Sequence, residues 1–337
     1  MDSDLSAAPG RPSGSLCIWQ LAALATLSAA ACGGRAGSPP EADAAGPPPI
    51  CEGTYARALD MGPLTDTELV EASGLAASRQ SPGVLWSHND SGDSARLFAL
   101  RDDGQALARL VLPGVQAIDF EDLALGPCPA GQSTSCLWIA DTGNNLDARV
   151  EVTVYATPEP EVGLSQDFVE LEASAIWRFP VTFPGVPPGA PIDIEAMMMA
   201  SDGQRLYFLE KNNEDRARIF QHPGPLTPDQ SRELLLVGDF ATPGLAIDYG
   251  RAITAADMHP SGERMLLRVY TAIYEYRFPP GQGVADLDMI DPVLVAAGPL
   301  TEPQGEAVAY DAAGSGVFSV SEDPDLIGQQ VHFFACE

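Results

Sequence analysis

The sequence predicts an all-β fold, a β-propeller of four-stranded blades, because one strand–turn–strand plan occurs five times along its 337 residues. Two residue columns within these repeats also keep matching spacings, and most units add two more apolar runs. A period of roughly 50–60 residues that holds several short strands is typical of a propeller blade. The first strands of the five units begin at Glu71, Asp119, Asp193, Thr254 and Gln304.

The two columns support the repeat independently of its strand pattern. One column follows the first strands, and the other is an aromatic or apolar position in the second strands. In both columns the longest interval lies between the second and third units. The alternative is a β-sandwich whose strands are similar by accident. The first-strand column is Ser73, Glu121, Glu195, Ala256 and Glu306, and the second-strand column is Trp86, Trp138, Tyr207, Leu266 and Phe318.

Ring closure is predicted from the two ends of the chain. The first four units have four apolar runs each, whereas the fifth ends after the run VHFFAC at 331–336. The run TYARALDMG at 54–62 supplies a fourth strand, which would close the ring and remove the open sheet edges. We therefore predict five blades, with six as the alternative if the insert 156–190 contains a further blade.

The N-terminal residues 1–31 are predicted to be an export signal. The apolar run Leu16–Ala31 ends in small residues before Cys32 and is shorter than the roughly 20 residues that a membrane-spanning helix needs. The run before Cys32 resembles a bacterial lipobox, and that resemblance implies lipid modification of this cysteine. Plain secretion and a retained membrane helix are the alternatives. Residues 32–50 are rich in Gly, Ala and Pro and predict a tether, which leaves 51–337 as the propeller domain.

Four cysteines remain after the leader and Cys32, and in an exported protein they predict two disulfides out of three pairings. A bond between Cys128 and Cys136 would close a short loop in the second repeat. A bond between Cys51 and Cys336 would join the two ends of the ring. Free buried thiols are the alternative.

The composition is strongly acidic, with a formal net charge of −29. This charge excludes nucleic acid as a partner, because phosphate binding needs Lys and Arg, and it permits cations. The sequence contains no Walker loop, no His-Glu-x-x-His, no Gly-x-Ser-x-Gly and no Cys-x-x-Cys. No established catalytic motif therefore assigns a reaction.

A candidate site follows from strand alternation, since side chains two residues apart share one face. Acidic residues in the first strands would ring one mouth of the central channel. Convergent carboxylates repel unless they bind protons or cations, and oxygen ligands favour Ca²⁺. The alternative is that these acids accept hydrogen bonds from neighbouring blades without a metal. The candidate ligands are Glu71, Asp119, Glu121, Asp193, Glu195 and Glu306.

The second strands run back to the same mouth and end in further polar residues. We expect His88, Asp90 and Asp141 to handle protons, with a structural role for His88 as the alternative. Arg268 could meet an anionic group or form a salt bridge to one of the acids. The candidates for substrate binding are Asn89, Asn144, Lys211, Asn212, Arg268 and Glu322.

The motifs EASGLAASRQSPGVLWSHNDSGD, DFEDLALG, LWIADTGNN, DIEAMMM and QGEAVAY resemble a family of uncharacterised exported bacterial proteins across most of residues 68–325. More loosely, the layout is similar to calcium-dependent hydrolase propellers: regucalcin-type lactonases and arylesterases, phytase-like esterases and apyrases. That looser resemblance implies an acidic, calcium-binding channel mouth. The fourth repeat departs from it, since it offers only Thr254 and Ala256.

Two functions follow as hypotheses. The first is a monomeric, lipid-anchored propeller of the cell envelope that binds a small anionic molecule, a glycan or an envelope protein at the acidic mouth. The alternative is a calcium-dependent hydrolase of lactones, esters or phosphoesters. In both cases the protein faces the periplasm or the exterior, with plain secretion as the alternative location.

Overall fold

The computed structural model describes residues 50–129, 135–144, 149–185, 192–212, 214–297, 302, 304–322 and 329–337. The predicted export signal, Cys32 and nearly all of the predicted tether lie outside the described residues. The described chain confirms an all-β propeller with five blades. Each blade is built on four antiparallel strands, which follow one another from the channel to the outer edge.

The first three blades follow the predicted order of strands. Blade 1 contains β2 (Ala72–Ala77), β3 (Val84–Asn89), β4 (Arg96–Arg101) and β5 (Ala106–Val111). Blade 2 contains β6 (Phe120–Pro127), β7 (Ser135–Asp141), β8 (Val152–Pro158) and β10 (Trp177–Thr182). Blade 3 contains β11 (Ile194–Met199), β12 (Leu206–Glu210), β13 (Arg216–Gln221) and β15 (Leu235–Ala241).

The fifth blade takes its strands from both ends of the chain, as predicted. Blade 4 contains β16 (Ile253–Met258), β17 (Arg264–Val269), β18 (Ala272–Arg277) and β19 (Val293–Ala297). Blade 5 contains β20 (Gln304–Tyr310), β21 (Gly316–Glu322), β22 (Gln330–Ala335) and, at its outer edge, β1 (Leu59–Pro63). The run 54–62 therefore does supply the missing fourth strand, because β1 pairs antiparallel with β22.

The insert 156–190 does not contain a sixth blade in its described part. It supplies β9 (Val169–Glu172), which pairs in parallel with the outer strand of blade 1, and it continues into the fourth strand of blade 2. A two-residue strand, β14 (Arg232–Glu233), extends blade 2 in the same way. A 3₁₀ helix (Val284–Met289) packs on the outer strand of blade 3. These additions cover sheet edges that would otherwise be open.

The core lies between neighbouring blades. The innermost strands β2, β6, β11, β16 and β20 contact one another around the channel in a closed ring. The predicted column of the second strands is buried in all five blades, with Trp86 and Leu266 fully buried and Phe318 the most exposed at 8%. Large apolar side chains at the same level of every blade explain why the repeat is visible in the sequence.

Both predicted disulfides are present, Cys51–Cys336 and Cys128–Cys136. Two disulfides indicate that the protein folds in an oxidising compartment outside the cytosol. A buried network reinforces the closure, because the hydroxyls of Tyr55 and Tyr310 both donate to Glu275. In the described part of the chain, no helix has both the length and the apolar character needed to cross a membrane.

A β-bulge interrupts every innermost strand close to its start. In β6, Phe120 pairs with Asp141 and Asp122 pairs with Ala140, so that Glu121 has no partner in the ladder. The residues left over in β11, β16 and β20 are Glu195, Thr254 and Glu306, and in β2 the bulge covers Ser73 and Gly74. Thr254, and not Ala256, is thus the counterpart of Glu121 in blade 4, and the predicted register of the fourth repeat was wrong by two residues.

We predict that removing the closing disulfide destabilises the protein more than removing the short one. The bonds span 285 and 8 residues of sequence, so in the chain-entropy picture they contribute roughly 5 and roughly 2.5 kcal/mol. Thermal unfolding of the full-length variants Cys51→Ser/Cys336→Ser and Cys128→Ser/Cys136→Ser measures this, and the first should show the larger fall in Tm. Equal falls would contradict the closing role of Cys51–Cys336.

Candidate functional site

The acidic mouth is the end of the channel at which the innermost strands begin. It is formed by six carboxylates that blades 1, 2, 3 and 5 contribute through bulges and strand ends. We predicted that acids of the first strands and the ends of the second strands gather at this mouth. The structure brings five first-strand acids of blades 2, 3 and 5 together there with the residue that follows β3. The six residues are Asp90, Asp119, Glu121, Asp193, Glu195 and Glu306.

Two groups of three carboxylates within the acidic mouth are close enough to share a cation. One oxygen each from Asp90, Asp119 and Glu121 lie within 4.8 Å of one another, and the same holds for Glu121, Asp193 and Glu195. Glu121 belongs to both groups and is 1% exposed, and its Oε1 has no hydrogen-bond partner in the described structure. Gly143 permits this packing, because a Cβ there would stand 1.7 Å from that oxygen.

Burial and mutual repulsion raise the pKa values of Glu121, Asp193 and Glu195. Burial is the largest cause of the raised pKa of Glu121, and the charges of Glu195 and Asp90 add to it. The pKa values of Glu195 and Asp193 are also raised, again mainly by burial, although Lys211 opposes the shift in both. Such a site gains free energy from any bound cation, since the cation stabilises the charged carboxylates.

Lys211 is the only lysine in the sequence, and it lies within the acidic mouth as predicted. Its Nζ is 2.6 Å from Oε1 of Glu195 and 5.1 Å from the ring centroid of Tyr270. Burial disfavours the charged ammonium, but the charges of Glu195 and Glu306 outweigh this and raise the pKa of Lys211. Lys211 is therefore a fixed positive charge that partly neutralises one side of the mouth.

The blade 5 side of the mouth holds a second kind of carboxyl group. Nε2 of Gln304 donates to both Glu306 and Glu322, and its distance to Oε1 of Glu306 is 2.9 Å. Burial raises the pKa of Glu306 to about 7 and, together with the charge of Glu306, that of Glu322 to about 8. Glu71 contributes to the raised pKa of Glu322, so it too lies near this side. Glu306 and Glu322 can therefore exchange protons near neutral pH.

The three predicted proton carriers differ in their environments. His88 is fully buried, its ring packs edge-on against Phe120, and burial lowers its pKa to about 4. This environment favours the alternative of a structural role for His88. Asp141 accepts hydrogen bonds from the backbone N–H of Asp119 and from Arg149, which makes it structural. Asp90 does lie at the mouth, and burial raises its pKa to about 6.

Four predicted ligand-binding residues are held inside the protein's own hydrogen bonds. Oδ1 of Asn89 accepts from the backbone N–H groups of residues 70 and 71. Asn144 donates to the backbone of residue 192, and Asn212 stabilises its own turn. Arg268 is 3% exposed and forms an ion pair with Glu302 and a hydrogen bond to Ser319. These bonds give the four residues structural roles, which for Arg268 is the salt bridge named as the alternative. Lys211 and Glu322 lie at the mouth.

Two residues that shape the mouth, Asp122 and Tyr270, were not predicted from the sequence. Asp122 is fully buried, and its Oδ2 accepts from the backbone N–H groups of Met197 and Ala256 in two other blades. The signal was present as two adjacent acids, Glu121 and Asp122, inside an otherwise apolar strand. Tyr270 could not have been found, because it contributes through a turn of blade 4 that carries no acidic pattern.

A separate groove of about 570 Å³ lies on the opposite face, between blades 2 and 3. Its lining includes His222, whose Nδ1 accepts the backbone N–H of Gly224, and Arg205, which is paired with Asp202. Burial lowers the pKa of His222 to about 4. The buried Oε1 of Glu121, which has no hydrogen-bond partner in the described structure, favours the acidic mouth over this groove as the functional site.

Comparison with known proteins adds only distant similarities. No protein-family model and no curated protein matches the sequence. A gluconolactonase from Xanthomonas campestris superposes with a TM-score of 0.42 and 13% identity over 84% of this chain and 90% of its own. The Swd1 β-propeller domain from Myceliophteria thermophila superposes with a TM-score of 0.40 and 10% identity, over 85% of this chain and 100% of its own. Hydrazine synthase from Kuenenia stuttgartiensis superposes with a TM-score of 0.35 and 9% identity, over 72% of this chain and 67% of its own. Superpositions at this level carry no argument about activity.

We predict that the metal-free protein loses stability as pH rises from 5 to 8. The pKa values of Asp90, Glu306 and Glu322 are raised to about 6, 7 and 8, so the folded protein holds protons that the unfolded chain has already released. Stability therefore falls with pH across this window. Thermal unfolding in EDTA measures the effect, and the variant Glu306→Gln/Glu322→Gln should show a shallower fall. An unchanged Tm across the window would contradict the raised pKa values.

Proposed function

We propose that this protein binds Ca²⁺ at the acidic mouth and uses the bound cation to hold an anionic ligand. The observation that carries the proposal is Glu121, a carboxylate that is 1% exposed and has an oxygen with no hydrogen-bond partner in the described structure. Leaving a buried charged group unpaired is costly, and four further carboxylates surround it. A bound cation lowers that cost by compensating part of the negative charge.

The residues fit a hard divalent cation better than a transition metal. Every side chain in the two acidic groups offers a carboxylate oxygen, and none offers sulfur or imidazole nitrogen. Ca²⁺ accepts six to eight oxygen ligands in irregular geometry, with water completing the shell, whereas zinc and copper favour histidine and cysteine. Asp90, Asp119, Glu121, Asp193 and Glu195 would hold the ion, and its positive charge would attract and polarise oxygen atoms of a ligand.

The ligand class follows from the charges that remain at the mouth. A bound cation would offer open coordination positions to ligand oxygens, Lys211 carries a positive charge beside them, and Glu306 and Glu322 can be protonated near neutral pH. A carboxylated or phosphorylated small molecule, or an acidic glycan, would meet positive charge and hydrogen-bond donors there. Both disulfides support an exported protein. We further propose a monomer that is anchored in the cell envelope through Cys32.

We expect the oxidised full-length protein to bind Ca²⁺ and Glu121→Gln to bind it at least about tenfold more weakly, which corresponds to about 1.4 kcal/mol. The amide keeps the size of the side chain but removes its charge. Isothermal titration calorimetry measures both. The control is Glu263→Gln, an exposed acid in the turn between β16 and β17, on the opposite face. Wild-type protein that binds no Ca²⁺ would refute the proposal.

A hydrolase is the second candidate, and the titrating carboxyl groups beside the cation site favour it. Glu306, with a pKa of about 7, and Glu322, with a pKa of about 8, could take a proton from water or donate one to a leaving group. Lys211 would orient an anionic substrate through its ammonium group. His88 and Asp141 take no part in this version, for the structural reasons given above.

If the protein is a hydrolase, lactone, ester or phosphoester turnover should require Ca²⁺ and fall at least about a hundredfold in Glu306→Gln or Glu322→Gln, the usual scale of general acid–base catalysis. The measurement is initial rates on a panel of these substrates, in Ca²⁺ and in EDTA, with Glu263→Gln as the control. Turnover that is equal in EDTA would exclude the calcium mechanism. No turnover combined with intact Ca²⁺ binding would leave ligand binding as the function.

A further inference from the structure

We infer that the acidic mouth holds two divalent cations side by side, with Glu121 as their shared ligand. The inference rests on the proposed function, since it concerns the same site. The first observation is that the carboxylates form two groups of three: Asp90, Asp119 and Glu121 in one, and Glu121, Asp193 and Glu195 in the other. Each group by itself offers enough oxygen atoms to begin a calcium coordination shell.

The two groups come from different parts of the propeller. Asp90 follows the second strand of blade 1, Asp119 and Glu121 belong to the start of blade 2, and Asp193 and Glu195 belong to the start of blade 3. Glu121 stands between them because its blade lies between the other two around the ring. The ligand groups are therefore neighbouring positions and not two descriptions of one position.

The second observation is the state of the Glu121 carboxylate. It is 1% exposed, its Oε1 has no hydrogen-bond partner in the described structure, and that oxygen points into the space kept open by Gly143. A carboxylate has two oxygens and about four lone-pair directions, so it can bridge two cations. A buried bridging position explains why Oε1 of Glu121 has no hydrogen-bond partner in the described structure, while both oxygens of Asp122 beside it accept from backbone N–H groups.

The balance of charge supports two cations over one. The five carboxylates of the two groups carry five negative charges when ionised, and the cation found among them is Lys211, bound to Glu195 at 2.6 Å. Two divalent cations together with this ammonium group match that charge. A single divalent cation would leave two buried carboxylates uncompensated, which is unfavourable in a site of low polarity.

The two positions should differ in affinity. Lys211 contacts Glu195 and so competes with a cation at the position formed by Glu121, Asp193 and Glu195. Glu195, the partner of Lys211 in this ion pair, belongs only to the group on the blade 3 side. We therefore expect the position on the blade 1 side to fill first and the position on the blade 3 side to fill at higher Ca²⁺ concentration.

The test is the number of Ca²⁺ ions per chain, measured on the oxidised full-length protein by calorimetry and by native mass spectrometry. We expect two ions for wild type and for the control Glu263→Gln. Asp90→Asn should lose the tighter ion, and Asp193→Asn should lose the weaker one. Glu121→Gln should weaken both at least tenfold. Lys211→Met should tighten only the weaker ion, by about tenfold, and it keeps the test valid if Glu121→Gln fails to fold.

The outcomes separate this inference from the proposed function. One ion in wild type that Asp90→Asn and Asp193→Asn weaken equally would overturn the two-cation arrangement and leave calcium binding intact. No ion in wild type would overturn both. Two ions that both survive in Glu121→Gln, with circular dichroism and Tm like those of wild type, would show that Glu121 is not the bridge.

Discussion

The β-bulge near the start of every innermost strand is the constraint on which the acidic mouth depends. In a regular ladder each residue pairs across the strand and consecutive side chains alternate between faces. A bulge leaves one residue over and redirects it. In blades 2, 3 and 5 that residue is Glu121, Glu195 or Glu306, while its apolar neighbours Phe120 and Ile194 stay buried in the core. The same backbone irregularity therefore turns these carboxylates toward the mouth and brings them close together.

Hydrogen bonds between blades hold this arrangement without any ligand. The hydroxyls of Ser73, Thr142 and Thr254 donate to backbone carbonyls of Glu121, Ile194 and Gly305 in the next blade, at 2.8, 2.8 and 3.0 Å. Asp122 accepts from two further blades. The backbone of the mouth is therefore satisfied, and the unfavourable electrostatics is confined to the side chains of the acids. A rigid site with unbalanced charge is well suited to select an ion, because little has to reorganise on binding.

The fold was predictable because its signal is repeated. Five buried residues from Trp86 to Phe318 occupy one level of the blades, and this regular packing appears in the sequence as spacing. The disulfide Cys51–Cys336 and the strand β1 followed from the incomplete fifth repeat. Gathering of the acids at one mouth followed from strand direction alone. These features depend on periodicity, which a single sequence records directly.

The features that could not be predicted depend on local geometry. The fourth repeat has no acid at the bulge to fix its register, so Thr254 was taken for the counterpart of Asp119 when it is the counterpart of Glu121. His88 and Arg268 both carry groups that could react or bind. The packing of His88 against Phe120 and the ion pair of Arg268 with Glu302 arise from contacts between distant segments, which the sequence does not show. Polar residues at strand ends serve turns as often as ligands, as Asn89 and Asn212 do here.

The composite fifth blade also determines when the molecule can become complete. Blades 1 to 4 draw their main strands from continuous stretches of chain, so each can assemble soon after it is synthesised or translocated. β1 must wait, exposed along one edge, until β22 emerges at the far end of the chain. Unpaired edges of this kind invite intermolecular pairing. The Cys51–Cys336 disulfide can form only once Cys336 has been synthesised, whereas the Cys128–Cys136 bond can form within blade 2 much earlier, so oxidation of the chain follows the same order as its assembly.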